Sequence, residues 1–500
     1  MSKTSQRIAK LIADTRKDQG LTQTEFAEKL ETSQSAVARI EAGRQNLSLD
    51  TIFKISRTLG RDIITLSDGS TNYRINGGNK LSGEITVNTS KNATVGLMCA
   101  ALLNKGKTTL KNTPQIEEVY RIIEVLESIG VDVQWQGQDL VISPPTKLDL
   151  ASMNKESARK TRTIIMFLAP LMHRAGSFTI PAPGGCNLGD RTTMPHLYAL
   201  EQFGLNLVED GDDFIATTEK KMPGEIIMYE PGDTATENTL MAAALTPGET
   251  KIKYAGANYM VQDVCAYLMA CGVKIDGVGS STMTVHGVNE INKDIEFDIG
   301  EDPIEAMTFI AAAVVTESEL TIKRAPIDFL EKELYVLEKM GLIYEVHRHY
   351  KAKNGLMKLV DLTVYPSKLV ASPVKLHALP YPGINMDNLP FLALIAATAT
   401  GRTLIHDWSF ENRAIYFTEL NKLGAKFDLA DPHRVYVSGP TKWGSADIAS
   451  PQALRPSMMV FLAMLAAPGR SVLRNVYSIN RGYQDLATRL NAVGADIATF

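Results

Sequence analysis

A chain of 500 residues with 52 lysines and arginines against 56 aspartates and glutamates has room for about three domains, and its net charge of −4 gives no chain-wide basic field. Any nucleic-acid contact must therefore come from a local patch. No apolar run reaches the ~18 residues of a membrane span, residues 1–20 lack a signal peptide, and the four cysteines show no metal-ligand spacing, so a cytoplasmic protein with no membrane contact, no metal and no cofactor is expected.

Residues 1–68 carry a helical period. Ile8, Leu11, Ile12 and Thr15 open one amphipathic helix. Thr22 and Glu25 form a capping-box pattern at the start of a second, which runs to Leu30. After a short turn, residues 33–42 form a third helix that Gly43 stops, and residues 48–59 supply another. The run LTQ..FA…SQSAVARIEAG resembles the phage-repressor-like (Cro/C1, XRE) helix-turn-helix family. That resemblance implies that Gln34, Ser35, Ala36 and Arg39 face bases in the major groove. Gln23, Arg44 and Asn46 would touch the DNA backbone, and a homodimer would read a two-fold site. Residues 68–71 read as a short polar linker.

The rest of the chain repeats one unit six times: an apolar helix rich in Ala, Leu and Met, a Gly-bearing turn, a short β-run, and a second, amphipathic helix. The units begin at Lys91, Arg159, Thr236, Pro303, Asn385 and Leu454. The first helix of each is apolar on nearly every side and is expected to be buried; the second is expected to cover a sheet. Six such units predict two globules of three, with a ligand cleft between them. Cys99, Cys265 and Cys271 fall in apolar helical runs and are expected in the core.

Residues 181–191, PAPGGCNLGDR, differ from everything around them. Glycines at 184, 185 and 189 permit backbone conformations closed to other residues, and Arg191 lies close enough in sequence to lower the pKa of the Cys186 thiol. The stretch reads either as a reactive cysteine on a lid over an anionic substrate or as a surface loop with an incidental cysteine.

The sixfold pattern resembles the enolpyruvyl transferase family over residues 71–500, and within it the UDP-N-acetylglucosamine 1-carboxyvinyltransferase branch rather than the shikimate-pathway branch. KNA at 91–93, PGGCNLGDR at 183–191, TATENTLMAA at 234–243, FENR at 410–413, LR at 454–455 and NRGY at 480–483 carry the likeness. It implies an α/β fold: a two-domain inverted α/β barrel of six βαββ-type units, preceded by the all-α head. Domain I would comprise residues 69–90 and 298–500, and domain II residues 91–297 with the Cys186 loop. The implied reaction moves the enolpyruvyl group of phosphoenolpyruvate to an acceptor hydroxyl and releases phosphate. Lys91, Arg191 and Arg481 would hold the phosphate, and Arg455 with Arg481 the carboxylate; Arg162 sits on a further matching position. Cys186 would act as general acid or be engaged covalently, and Asn92 would hydrogen-bond the acceptor or intermediate.

The acceptor half departs from the family. Ile384 replaces an aspartate near the reacting hydroxyl, and Asp387 is the expected substitute. Ala453 replaces a second aspartate. The uracil-receiving stretch reads RTTMPH at 191–196, and the diphosphate-receiving stretch reads Gly232-Asp233-Thr234, where a carboxylate would repel a diphosphate. The acceptor is therefore expected to be a UDP-N-acetylglucosamine-like molecule, as in peptidoglycan synthesis, or a nucleoside or nucleotide. The alternative is a DNA-binding regulator that uses a degenerate transferase body as a ligand sensor.

Overall fold

The computed structural model describes residues 71–183, 192–219, 221, 222 and 224–500, together with residues 9, 12, 13, 16, 17, 20–30, 32–42, 51, 54, 55 and 58. The chain divides into two units, Met1–Ser70 and Thr71–Phe500.

In the first unit the capping box forms as expected. The Glu25 N–H donates to Thr22 Oγ1 at 3.2 Å and the Thr22 N–H to Glu25 Oε2 at 2.8 Å, starting the helix Gln23–Lys29. Ser33 Oγ accepts from the Ala36 N–H and starts Gln34–Glu41. Ile12, Phe26, Ala27, Leu30, Val37, Ile40 and Ile55 form the core. Ile8, Leu11, Thr15 and Gly43 lie outside the described residues.

The second unit repeats one motif, seen complete between residues 225 and 287. A strand (Glu225–Ile227) leads to a buried helix (Asp233–Ala244), and a second strand (Gly248–Lys253) pairs parallel to the first. A further helix (Tyr259–Ala270) then leads to a hairpin (Lys274–Asp276, Thr282–Gly287) that closes the sheet antiparallel. Five sheets of four strands and one of three follow this plan among the described residues.

Chain order is broken at two places. Strand Glu84–Thr86 precedes helix Lys91–Ala100, yet it pairs with Leu320–Pro326. Strand Ile295–Asp298 precedes helix Pro303–Val315, yet it pairs with Thr108–Lys111. Two units thus exchange their first strands. The crossing segments bond to each other: the Ser90 N–H donates to the Gly300 carbonyl at 2.8 Å and the Asp302 N–H to the Asn88 carbonyl at 2.9 Å. Near the chain end, Tyr73–Gly77 lies between Gly469–Arg474 and Ile497–Thr499, so the start of this unit completes its last sheet. Three sheets are built from residues 73–86 and 320–499, and three from residues 108–298.

The apolar helices are buried as expected; in Pro303–Val315 every residue except Val314 is buried. Cys99, Cys265 and Cys271 are free thiols in this core. The second unit differs from the expectation of one long helix. Pro170 has no N–H to offer the preceding turn, and the run is split into a 3-10 segment, Arg162–Phe167, and a short helix, Leu168–Met172. One glycine marks the same place in all six units. Gly130, Gly204, Gly272, Gly341, Gly424 and Gly494 follow the second helix with φ between +89° and +106°, a left-handed conformation that stops the helix and turns the chain toward the next strand.

Candidate active site and nucleic-acid interface

The buried helices of the six units place a chemistry-bearing residue in their first turn or just before it. Lys91 opens Lys91–Ala100 behind the Ser90 cap, and Arg162 opens the 3-10 segment. Asp233 opens Asp233–Ala244, and Asp302 caps Pro303–Val315. Asp387 lies two positions before Leu389–Ala396, and Arg455 is the second residue of Leu454–Ala466. Helix N-termini carry unpaired N–H groups and partial positive charge, which favour anions.

Lys91, Arg455 and Arg481 converge. Arg481 donates from Nε (3.0 Å) and Nη2 (2.5 Å) to Glu118 Oε2, a residue 363 positions away. Glu118 is buried; its other oxygen accepts from Thr161 Oγ1 at 2.5 Å. Burial alone would raise the pKa of Glu118, but Lys91 and Arg481 hold it below the ordinary carboxylate value. Arg455, 6 % exposed, donates from Nε to Asp387 Oδ2 at 3.2 Å and from Nη1 to the Tyr483 hydroxyl at 2.9 Å. The fields of Asp302 and Tyr259 reach it as well. Burial lowers the pKa of the Lys91 ammonium, and the Arg455 and Arg481 charges lower it further against Glu118 and Asp387. Among the described residues no carboxylate closes an ion pair on Lys91.

Asn92 Nδ2 donates to the Tyr259 hydroxyl at 3.1 Å. Asp233 Oδ2 accepts from Asn258 Nδ2 at 3.0 Å, and its carboxyl pKa is pushed up to about 6 by burial and by the Asp387 charge, against that hydrogen bond. Arg413 of the FENR stretch is buried and paired, with its Nη1 4.0 Å from Asp387 Oδ1. It is locked on Asp407 (Nε to Oδ2, 2.5 Å), donates to the Met386 carbonyl at 2.7 Å and stacks on Phe410, steadying the segment that carries Asp387. The positions where aspartates were expected have joined the core: Ile384 is buried, and Ala453 packs with Phe410 and Met386. The Arg162 Nη2 donates to the Thr192 carbonyl, and its charge acts on buried His196, whose pKa burial lowers to about 3. Cys186 and Arg191 lie outside the described residues.

Sequence reasoning missed Glu118, Asp302 and Tyr259. Glu118 reads as an ordinary first-turn acid of an amphipathic helix, and Asp302 as the N-cap before Pro303. Tyr259 reads as core.

In the first unit Gln34, Ser35 and Arg39 are exposed. Gln34 donates to Gln23 Oε1 at 2.8 Å, Gln23 to Glu41 Oε2 at 2.9 Å, and Arg16 Nε to Glu41 Oε1 at 2.6 Å. Ala36, also expected to face bases, is far less exposed than Gln34, Ser35 and Arg39. It is 8 % exposed, on the same face of the helix as Ile40 four residues on. Arg44 and Asn46 lie outside the described residues.

Residues 75–490 match the family model described as EPSP synthase (3-phosphoshikimate 1-carboxyvinyltransferase). Residues 12–66 match a helix-turn-helix model. The chain is 32 % identical over 428 residues to the UDP-N-acetylglucosamine 1-carboxyvinyltransferase of Bradyrhizobium diazoefficiens, covering 85 % of this chain and 97 % of that protein. Against the protein of the same name from Treponema denticola the identity is 33 % over 425 residues, with 85 % and 98 % covered. The enolpyruvyl transferase NikO from Streptomyces tendae superposes with a TM-score of 0.74 at 26 % identity, covering 86 % of this chain and 99 % of that one. EPSP synthase from Acinetobacter baumannii shares the fold at a TM-score of 0.67, 16 % identity and 86 % and 99 % coverage. Sheet plan, converging charges and sequence likeness agree: the chain belongs to the EPSP synthase family of carboxyvinyl (enolpyruvyl) transferases, with a helix-turn-helix segment at its N-terminal end.

Proposed function

We propose that the protein transfers the enolpyruvyl group of phosphoenolpyruvate to a hydroxyl of a UDP-N-acetylglucosamine-like or nucleoside/nucleotide acceptor, with release of phosphate. The observation that carries this is the gathering of Lys91, Arg455 and Arg481, from three distant segments, close enough to act on one another electrostatically. A doubly charged phosphate beside a carboxylate needs such a set, and the planar guanidinium forks suit both groups. The three sheets of residues 108–298 and the three of 73–86 and 320–499 would form the two lobes, with the crossing segments at 88–90 and 300–302 between them. Cys186 would protonate C3 or be engaged covalently, and Arg191 and Arg162 would add positive charge. Acceptor-dependent phosphate release, measured over a panel of UDP-sugars, nucleotides and nucleosides, tests the reading. No release with any acceptor overturns it. Fosfomycin, an epoxide that mimics the donor, is expected to add to Cys186, and mass spectrometry reads that adduct.

A second activity is favoured by Gln34, Ser35 and Arg39, exposed on one capped helix: residues 1–68 bind DNA as a homodimer, and ligand binding by the body would allow the protein to regulate transcription.

A further inference from the structure

We propose that the protein carries a second binding site, for a phosphorylated small molecule, on the sheet that contains Leu320–Pro326, Ile343–Lys351 and Lys358–Tyr365. Along these strands Leu320, Ile322, Val360 and Leu362 are fully buried, and the residues between them, Thr321, Lys323, Asp361 and Thr363, make the opposite face polar.

That polar face is interrupted by two bulges at one level. Lys358–Tyr365 lies between the other two strands. On one side Ile322 pairs with Leu362 and Ala325 with Val360, so Lys323 and Arg324 together stand opposite Asp361. On the other side Val346 pairs with Leu362 and His349 with Val360, so His347 and Arg348 stand opposite the same aspartate. A bulge re-aims the side chains it carries, and three of these four are lysine or arginine. Arg324 also holds a left-handed backbone, φ +63°, which is uncommon outside glycine and asparagine and is kept where the surrounding structure demands it. Lys323, Arg324, Arg348, His349, Tyr350 and Asp361 line a cavity of about 470 Å3, the size of a small-molecule site. None of them belongs to the cluster around Arg455.

The charges favour an anion. The one carboxylate in the lining is occupied: Asp361 Oδ1 accepts from the Tyr350 hydroxyl at 2.8 Å and from the Arg324 N–H at 3.3 Å. Arg324 Nη2 donates to buried Glu301, which joins the cavity to the crossing segment at 300–302. Lys323 Nζ donates to Glu84 Oε2 at 3.0 Å, an exposed pair of the kind that a phosphate outcompetes. Arg348 is exposed, and among the described residues its side chain makes no ion pair or hydrogen bond. Its planar fork matches two phosphate oxygens. A phosphoryl group on Arg348 and Lys323 leaves the volume beside His349 and Tyr350 for the body of the ligand, so the site suits a phosphate ester better than the bare ion.

The test is calorimetric titration of the full chain with inorganic phosphate, ribose 5-phosphate, glucose 6-phosphate and adenosine monophosphate. Each titration is run in excess phosphoenolpyruvate, which fills the cations around Arg455. Wild type is compared with Arg348→Ala, Arg348→Lys and Lys323→Ala; neither position is buried, and thermal unfolding checks that each variant is folded. At least one ester is expected to bind with a Kd below about 1 mM and more tightly than inorganic phosphate. Arg348→Ala is expected to weaken that binding by at least about tenfold and Lys323→Ala by less, while Arg348→Lys recovers part of the loss, since it keeps the charge without the fork. Affinity for phosphoenolpyruvate should be the same in all four proteins. Binding of inorganic phosphate as tight as that of every ester would mark an adventitious ion only and overturn the proposal. So would no binding by any probe, or binding that both alanine variants leave intact. No readout here needs turnover, so these outcomes are separate from those that decide the transferase reading.

Discussion

At the scale of single residues, the site is a set of cations each balanced differently. Arg455 and Arg481 are tied to Asp387 and Glu118, while among the described residues no carboxylate closes on Lys91. Replacing Arg455 by alanine should leave Asp387 facing Asp233 with its guanidinium gone. The expected result is a loss of about 3 kcal/mol of stability, the usual cost of breaking a buried pair, together with a rise of at least about tenfold in the KM for phosphoenolpyruvate. Thermal unfolding and steady-state kinetics check the two parts separately. The cations were legible in the sequence because each stands inside a stretch of unusual loop chemistry. Glu118 was not, since an acid in the first turn of an amphipathic helix has an ordinary role there, and only folding brings Arg481 to it.

At the scale of elements, the helices show how a repeated pattern writes the fold. Gly204, at φ +94°, illustrates the repeated stop; a Cβ there would lie 1.6 Å from the Glu219 carbonyl oxygen. Gly204→Ala is expected to cost at least about 3 kcal/mol, read as a fall in the unfolding midpoint, through both the left-handed backbone and the clash. Glu237 makes the opposite point. It lies 1 % exposed in helix Asp233–Ala244 with no hydrogen-bond partner for Oε1, and burial, then Asp233 and Asp263, hold its pKa well above the ordinary carboxylate value. A folded-state pKa raised in this way favours the folded protein below the unfolded pKa of about 4.5 and loses that advantage as pH rises toward the folded value. Glu237→Gln should therefore flatten the decline in unfolding midpoint between pH 5 and 8; parallel curves for wild type and variant would refute the assignment. The buried helices were readable from their apolar faces. The split at Pro170 was readable in principle, since a proline in a helical run removes a hydrogen bond.

At the scale of the whole molecule, the chain folds as two units. In the first, Gln23 links Gln34 to Glu41, and Arg16 holds Glu41 from the other side, so helix Gln34–Glu41 is tied to its neighbours by a network. Arg39→Ala in the full chain is expected to abolish sequence-specific DNA binding, measured by footprinting on the upstream region of its own operon; an unchanged footprint would remove the role of this face. In the second, the exchange of Glu84–Thr86 and Ile295–Asp298 ties two units together by strand pairing rather than by packing alone.

The sequence by itself determined the six units, their buried helices and the stretches that carry cations and the cysteine, because each rests on local periodicity or on residues close together in the chain. Only the tertiary structure decided which strands exchange, that Glu118 meets Arg481, and that Asp233 and Asp387 share one electrostatic field. Those pairings join residues far apart in sequence, and neither their distance nor their desolvation exists until the chain has folded.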